Sequence, residues 1–115
     1  MQRKYRLTRS DDFKRVRRNG KSYAHPLVVL IAQLSEQPRL RVGVAAGKAL
    51  GNAVHRNRAK RLLREAIRPL LPVLPQGIEL VLIARPGLLK ASLEDTRLAL
   101  HGLLLRAGLI PQNDL

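Results

Sequence analysis

Apolar and polar positions divide the chain into short strand-like runs and longer helical periods. LVVLIAQL (27–34) and RLRVGVAA (39–46) read as strands. In the second, Leu40, Val42 and Val44 alternate with Arg39, Arg41 and Gly43, which predicts one buried face and one partly polar face. The link Ser35-Glu36-Gln37-Pro38 is short enough to predict a hairpin. The uninterrupted LVLIA within IELVLIAR (78–85) predicts a strand covered on both faces. Residues 22–26 either begin an earlier short strand or extend the first, and the pattern leaves both open. Three segments have helical periods. Ser10-Asp11-Asp12 reads as an N-cap for FKRVRRNG, ending at Gly20, with Phe13 and Val16 toward the core and Lys14, Arg15, Arg17 and Arg18 toward solvent or a ligand. A glycine-bracketed crossing, residues 47–52, leads into a helix from about Ala53 to Arg68, stopped by Pro69. Its apolar face is Ala59, Leu62, Leu63, Ala66 and Ile67, with Asn57, Lys60, Arg61, Arg64 and Arg68 opposite. The proline-punctuated PLLPVLPQG then leads to the strand at 78. Residues 92–107 form a last helix, with Ser92 and Asp95 arranged as a relaxed capping box. Residues 1–9 are a basic arm expected to order against the domain or against RNA, and residues 109–115 are expected to fray.

A length of 115 residues with 45% hydrophobic content suits one domain, residues 1–115, with one core. One Phe, two Tyr and no Trp make that core aliphatic. Charge changes the picture more. The chain carries +14, and all of it lies in residues 1–68, which hold 18 basic and 4 acidic side chains; residues 69–115 hold 4 of each. One part of the chain is therefore a charged surface and the other a neutral scaffold, as expected of a protein whose partner is a polyanion. With no cysteine, disulfides, thiol catalysis and cysteine-based zinc sites are excluded. The N-terminal MQRKYRLTRSDDF has no apolar signal core, and no apolar run is long enough to span a bilayer, so a cytoplasmic address without membrane attachment is expected.

The segment GNAVHRNRAKRLLREAIR (51–68) concentrates the candidate chemistry. It joins a helix start with free N–H groups to Arg56-Asn57-Arg58 in the first turns, and Lys60, Arg61, Arg64 and Arg68 continue beyond them. Free N–H groups and forked guanidiniums both select phosphate oxygens. An ordinary solvated helix face would mix its charges, whereas here only Glu65 offers an intrahelical partner. A protein nuclease would need clustered carboxylates. Asp11-Asp12 and Glu94-Asp95 sit at helix starts and Glu65 among arginines, each with a structural explanation. His25, His55 and His101 are scattered and none is paired with a carboxylate, so neither catalytic residues nor metal ligands are expected.

The same block, Arg56-Asn57-Arg58 followed by Lys60-Arg61-Leu62-Leu63-Arg64, resembles the signature helix of the bacterial ribonuclease P protein subunits. RLTRSDDFKRVRRNGKSYAHPLVVLIAQ resembles that family's opening helix and first strands, RVGVAAGKALGNAV its strand and loop before the motif helix, and IELVLIARPGLL its last strand. The resemblance covers roughly residues 4–108. It implies an α/β (α+β) two-layer sandwich with a four-stranded sheet and about three helices in the order αβββαβα, with a left-handed βαβ crossover. It also implies a protein subunit that binds a catalytic RNA and the 5′ leader of precursor tRNA. The RNA performs the hydrolysis that yields the mature 5′ end, with Mg2+ required by the holoenzyme and no cofactor held by the protein alone. No obligate protein partner is implied. Matched by position, Arg56, Asn57, Arg58, Lys60, Arg61 and Arg64 face the catalytic RNA, and Arg68, which continues the basic stripe, is expected to join them, while Phe13, Arg17, Ile31 and Lys48 belong to the leader cleft. Arg17 and Ile31 stand where members often carry aromatic residues, and the loop reads Ala46-Gly47-Lys48-Ala49 where it is often rich in Ser and Lys. The cleft is therefore expected to rely on charge and shape more than on base stacking. Phe13, Tyr5 and Tyr23 also have plain readings as packing residues. The competing function is a ribosomal or ribosome-associated structural RNA-binding protein. Both readings require salt-sensitive RNA binding: with about six phosphate contacts, affinity should fall on the order of a thousandfold between about 50 and 200 mM salt. A filter-binding series that came out flat would remove the electrostatic footprint.

Overall fold

The structure, a computed structural model, describes residues 3–111. In chain order its elements are α1 (Ser10–Asn19), β1 (Lys21–Ala24), β2 (Val28–Leu34), β3 (Leu40–Ala46), α2 (Ala53–Ile67), β4 (Ile78–Ala84) and α3 (Leu93–Arg106). This is the αβββαβα order that the resemblance implies, and the residues 22–26 ambiguity resolves as a separate first strand. Short 3-10 turns occupy Arg3–Tyr5, Lys48–Leu50, Arg68–Val73 and Pro86–Lys90. The four strands lie in the order β1-β2-β4-β3. β2 is antiparallel to both β1 and β4, whereas β3 and β4 run parallel and are joined through α2.

The predicted hairpin between residues 27–34 and 39–46 does not form, because β4 lies between the two strands. The short link instead straddles the start of β4: Ser35 N–H donates to the Gly77 carbonyl at 2.8 Å, and Gly77 N–H donates to the Arg39 carbonyl at 3.0 Å. The physical reason is the burial demand of β4. Six of its seven residues are buried, so it belongs in the sheet interior with both edges paired and both faces covered. The more polar β1 and β3 then become the outer strands. β3's outer edge is covered by the N-terminal arm, where Arg6 bridges to Val42 and Leu7 N–H donates to the Val42 carbonyl at 2.9 Å. Arg41 reinforces this seam through its guanidinium, which donates to the Arg6 carbonyl at 3.2 and 3.3 Å. The arm therefore orders against the domain over its described residues, with residues 1–2 outside them, and it covers the middle of the β3 edge at Val42.

Strand alternation gives the sheet two different faces. Leu30, Val42, Val44, Leu80 and Leu82 face α2 and α3 and meet Ala59, Leu63, Ala66, Ile67, Leu100, Leu103 and Leu104 in the larger cluster. Ile31 and Val81 point the other way, to Val16 of α1 and Leu7 of the arm. The two-layer description thus holds for the sheet and the α2–α3 layer, with α1 added across part of the opposite face. Leu62 is half-buried and the rest of the predicted apolar stripe of α2 is buried. Tyr23 packs on the α3 side, beneath the guanidinium of Arg106 at 6.0 Å and the Lys21 ammonium at 5.6 Å.

Several ends differ from their prediction. Arg9, not Ser10, is the N-cap residue of α1, and it makes no side-chain cap bond; the Phe13 N–H is satisfied by the Arg9 carbonyl at 3.1 Å. α2 closes at Ile67, and Arg68 begins the following 3-10 turn. The capping box on α3 forms, with Asp95 N–H donating to Ser92 Oγ at 3.0 Å and Ser92 N–H to Asp95 Oδ2 at 3.4 Å. The predicted fraying from residue 109 does not begin there. Gly108, at φ +72°, turns the chain so that Leu109 N–H donates to the Leu104 carbonyl and Ile110 is buried. Residues 112–115 of that predicted tail lie outside the described residues.

Arg15 is the largest departure on α1. It does not face solvent freely: its two terminal nitrogens grip Glu79 of β4 at 2.6 and 3.1 Å and also reach Asp12 at 3.0 Å and Gln33 at 3.2 Å. Glu79 is only 5% exposed, a buried carboxylate that Arg15 neutralises, and hydrogen bonds to Glu79 and Asp12 raise the guanidinium pKa above its ordinary value. Arg15→Ala leaves that carboxylate buried and unpaired and should cost about 3 kcal/mol. Adding Glu79→Leu should restore most of the loss, as read from urea unfolding midpoints; a neutral Arg15→Ala variant would show the pair to be without structural weight.

Candidate nucleic-acid interface

The start of α2 is fixed by Asn52, whose Oδ1 accepts the His55 backbone N–H at 3.0 Å, and no acidic residue occupies the first turn. The helix dipole and the first cations therefore face the same surroundings without local compensation. Helical spacing then divides the basic residues into two flanks around a crest. Arg56, Lys60 and Arg64 recur every fourth residue along one flank. Lys60 and Arg64 line a hollow of about 270 Å³ with Arg6 of the arm, Leu7, Thr8 and Phe13. The Nε atoms of Arg6, Arg56 and Arg64 are buried and have no hydrogen-bond partner among the described residues. Burial, and secondarily the positive charge of Arg6, hold the Arg64 guanidinium pKa below its ordinary value. Cations packed together without counterions carry a desolvation and repulsion cost that a phosphate would relieve.

Arg58 and Arg61 lie on the other flank, where they border a second hollow of about 250 Å³ between α2 and the Pro86–Lys90 turn. The crest between the flanks carries Asn57, which is exposed, and Arg61 is exposed on the side of this second hollow. Arg68 lies beyond the helix end, and its Nη2 sits 3.0 Å from Glu65 Oε2, so part of its charge is already answered. The seven residues grouped by sequence are thus not one stripe. They grip two sides of one helix, and one side is completed by Arg6, which sequence reasoning left in the arm. Arg6 was not separable from Arg3, Lys4 and Arg9 without knowing which residue pairs with β3.

The sheet face that carries α1 is covered over only part of its area. Register stacks it in rows: Gln33, Glu79 and Arg41 form the first, whose Gln33 and Glu79 bond Arg15; Ser22, Ile31, Val81 and Gly43 form the next; Ala24, Val29, Ile83 and Ala45 form the last. Phe13 lies flat on Gly43, so close that a Cβ there would fall 2.5 Å from the ring Cζ, which is why glycine occupies that position. Arg17, four residues after Phe13, is exposed on the flank of α1 that Phe13 shares, away from Arg15. The last row is aliphatic, with Val29, Ile83 and Ala45 half-buried and Ala24 exposed, and it forms an open shelf. Ile31 does not belong to the open surface: it is 4% exposed and packs against Val16 of α1. Lys48 is exposed in the Lys48–Leu50 turn, two residues past β3, at the end of the sheet that carries the shelf. The shelf residues themselves went unnoticed in the sequence, because their row is defined only once β4 lies between β2 and β3.

Most of the candidate acid–base groups have local roles. Asp12 and Glu79 hold Arg15, Asp95 closes the capping box and Glu65 holds Arg68. His25 Nδ1 accepts the Leu27 N–H at 3.0 Å. Among the described residues no three His, Asp or Glu side chains gather as a metal-binding group.

Comparison with known proteins gives this surface its context. The family model described as Ribonuclease P matches residues 1–108. The ribonuclease P protein component of Herpetosiphon aurantiacus is 40% identical over 109 residues, 95% of this chain and 89% of that one. The ribonuclease P protein component of Brevibacillus brevis is likewise 40% identical over 113 residues, 97% of this chain and 90% of that one. The solved RNase P protein of Staphylococcus aureus superposes with a TM-score of 0.82 at 28% identity, covering 93% of this chain and 98% of that one. Relatedness along nearly the whole length, together with a shared fold, shows that the chain belongs to the ribonuclease P protein component family.

Proposed function

We propose that this chain, as the protein subunit of ribonuclease P, works through two separate RNA surfaces. Both flanks of α2, with Arg6, bind the backbone of the catalytic RNA. The shelf beside α1 holds the single-stranded 5′ leader of precursor tRNA, with Arg17 and Lys48 as phosphate contacts and Val29, Ile83 and Ala45 as an aliphatic floor. The observation that carries this reading is the meeting of Arg6 with Lys60 and Arg64 around one hollow, where the buried Nε atoms of Arg6 and Arg64, like that of Arg56 farther up the same flank, have no hydrogen-bond partner among the described residues. Such donors are answered by water or by an anion, and the positive charge gathered around them favours a polyanion. Hydrolysis belongs to the RNA and its magnesium ions. The protein raises the local concentration of substrate at that centre and neutralises phosphate charge that would otherwise need more metal. Among the described residues no helix is long and apolar enough to cross a membrane, which suits action in the cytoplasm where precursor tRNA is made.

Single-turnover cleavage of precursor tRNA by bacterial ribonuclease P RNA at low magnesium tests the reading. The purified protein should stimulate cleavage, and more so as the leader is lengthened across the shelf. No stimulation, with RNA that is active at high magnesium and protein that is folded, would move the chain to a general RNA-binding role. The two surfaces should also separate. Reversing the charge of Arg58 and Arg61 together should weaken binding to the catalytic RNA by about 2 to 5 kcal/mol. Arg17→Glu should leave that affinity nearly intact and remove the leader-length dependence. Equal effects of both changes on both readouts would argue for a single surface.

A further inference from the structure

We propose that the hollow between α2 and the Pro86–Lys90 turn is a nucleotide pocket, which receives one unstacked nucleotide of the RNA partner with its base inside and its phosphate on Arg58 and Arg61. The inference rests on the RNA-binding reading of α2 and specifies what that flank recognises.

The hollow differs in kind from the one beside Arg6. Its volume of about 250 Å³ is walled by Leu62, Leu89, Leu93 and Ala91, half-buried side chains that pack against the core, while Arg58 and Arg61 stand at its rim. Among the described residues neither arginine makes a side-chain hydrogen bond or an ion pair. A phosphate alone is answered by cations and N–H groups and has no use for an aliphatic wall. A nucleotide has both halves: a flat, weakly hydrated base for the wall and an anion for the rim. Guanidinium planes also stack on bases, a role that matters in a chain with one Phe, two Tyr and no Trp.

Glu65 gives the pocket an orientation. Glu65 lines the same hollow, and its Oε2 lies 3.0 Å from Arg68 Nη2. A carboxylate repels phosphate but accepts hydrogen bonds from base N–H groups, so the base edge lies toward Glu65 and the phosphate toward Arg58 and Arg61. Guanine, with adjacent N1–H and N2–H donors, matches a carboxylate best.

The chain has no cysteine, so Ala91→Cys places a unique thiol in the wall with little change in volume. The folded variant is alkylated with an aromatic maleimide, which fills the hollow, or capped with a methylthio group, which does not. Affinity for bacterial ribonuclease P RNA is then followed across a salt series. The aromatic adduct should bind about tenfold more weakly, since base stacking contributes on that scale. Its salt slope should match that of the methylthio form, because no cation is lost. Bound RNA should also slow the alkylation of the introduced thiol. The same aromatic label on Val73→Cys, at an exposed site outside the pocket, should leave affinity unchanged. If the unlabelled variant binds the RNA and the aromatic adduct binds equally well, the pocket takes no base and the proposal falls while the RNA-binding reading stands. If the unlabelled and wild-type proteins both fail to bind, the reading of α2 itself falls. Loss of affinity confined to a reduced salt slope would mean that the label disturbs only phosphate contacts, and would equally overturn the base pocket.

Discussion

β4 must be dry on both faces, and most of the architecture follows from that constraint. An aliphatic strand with both edges paired and six of seven residues buried needs a neighbour on each side and helices above and below. β2 and β3 therefore part to admit it, α2 and α3 seal one face, and α1 covers the section of the other that contains Val81. The single charged residue on β4, Glu79, falls where the cover of α1 would otherwise leave a carboxylate buried, and Arg15 answers it. That pair sets the rotation of α1 about its own axis. With Arg15 turned to Glu79, Phe13 lies over Gly43 and Arg17 comes to the flank away from Arg15.

The charges obey a different rule from the core. Where a cation is structural it is paired: Arg15 with Glu79 and Asp12, Arg68 with Glu65, Arg106 with the Ala24 carbonyl at 2.8 Å. Along the arm and the flank of α2 beside it the pairing stops, and Arg6, Arg56 and Arg64 present buried Nε atoms that find no acceptor among the described residues. The difference separates scaffold from binding surface more sharply than net charge does. It also explains why the neutral C-terminal half could be given over to packing, with its basic and acidic residues balanced.

The sequence was legible wherever one local period decided the matter. The apolar face of α2, the span of α3 with its Ser92–Asp95 capping box and the two-sided burial of residues 78–84 follow from local pattern alone. Family resemblance supplied the element order and the partner. What could not be read was pairing between distant segments. A four-residue link favours a hairpin on local grounds, and only the burial demand of a strand some forty residues later overrides it. The same limit hid the shelf of Val29, Ile83 and Ala45, the commitment of Arg15 to Glu79 and the contribution of Arg6, since each depends on which strands are neighbours. Ile31 was misplaced for the complementary reason, as α1 lies directly on it.

The insertion of β4 between two strands that are already linked has a consequence for the order of assembly. β3 has no sheet partner until β4 arrives, and β4 is separated from it in the chain by the whole of α2. Closing that long loop is an entropic barrier met before any of its contacts are gained, which places it late in folding. The arm seats on β3, so Arg6 reaches its position beside Arg64 only after the same event. During synthesis the cationic grip on α2 would thus be completed only when residues 78–84 have left the ribosome, and an unfinished chain would not yet hold RNA in the manner of the finished one.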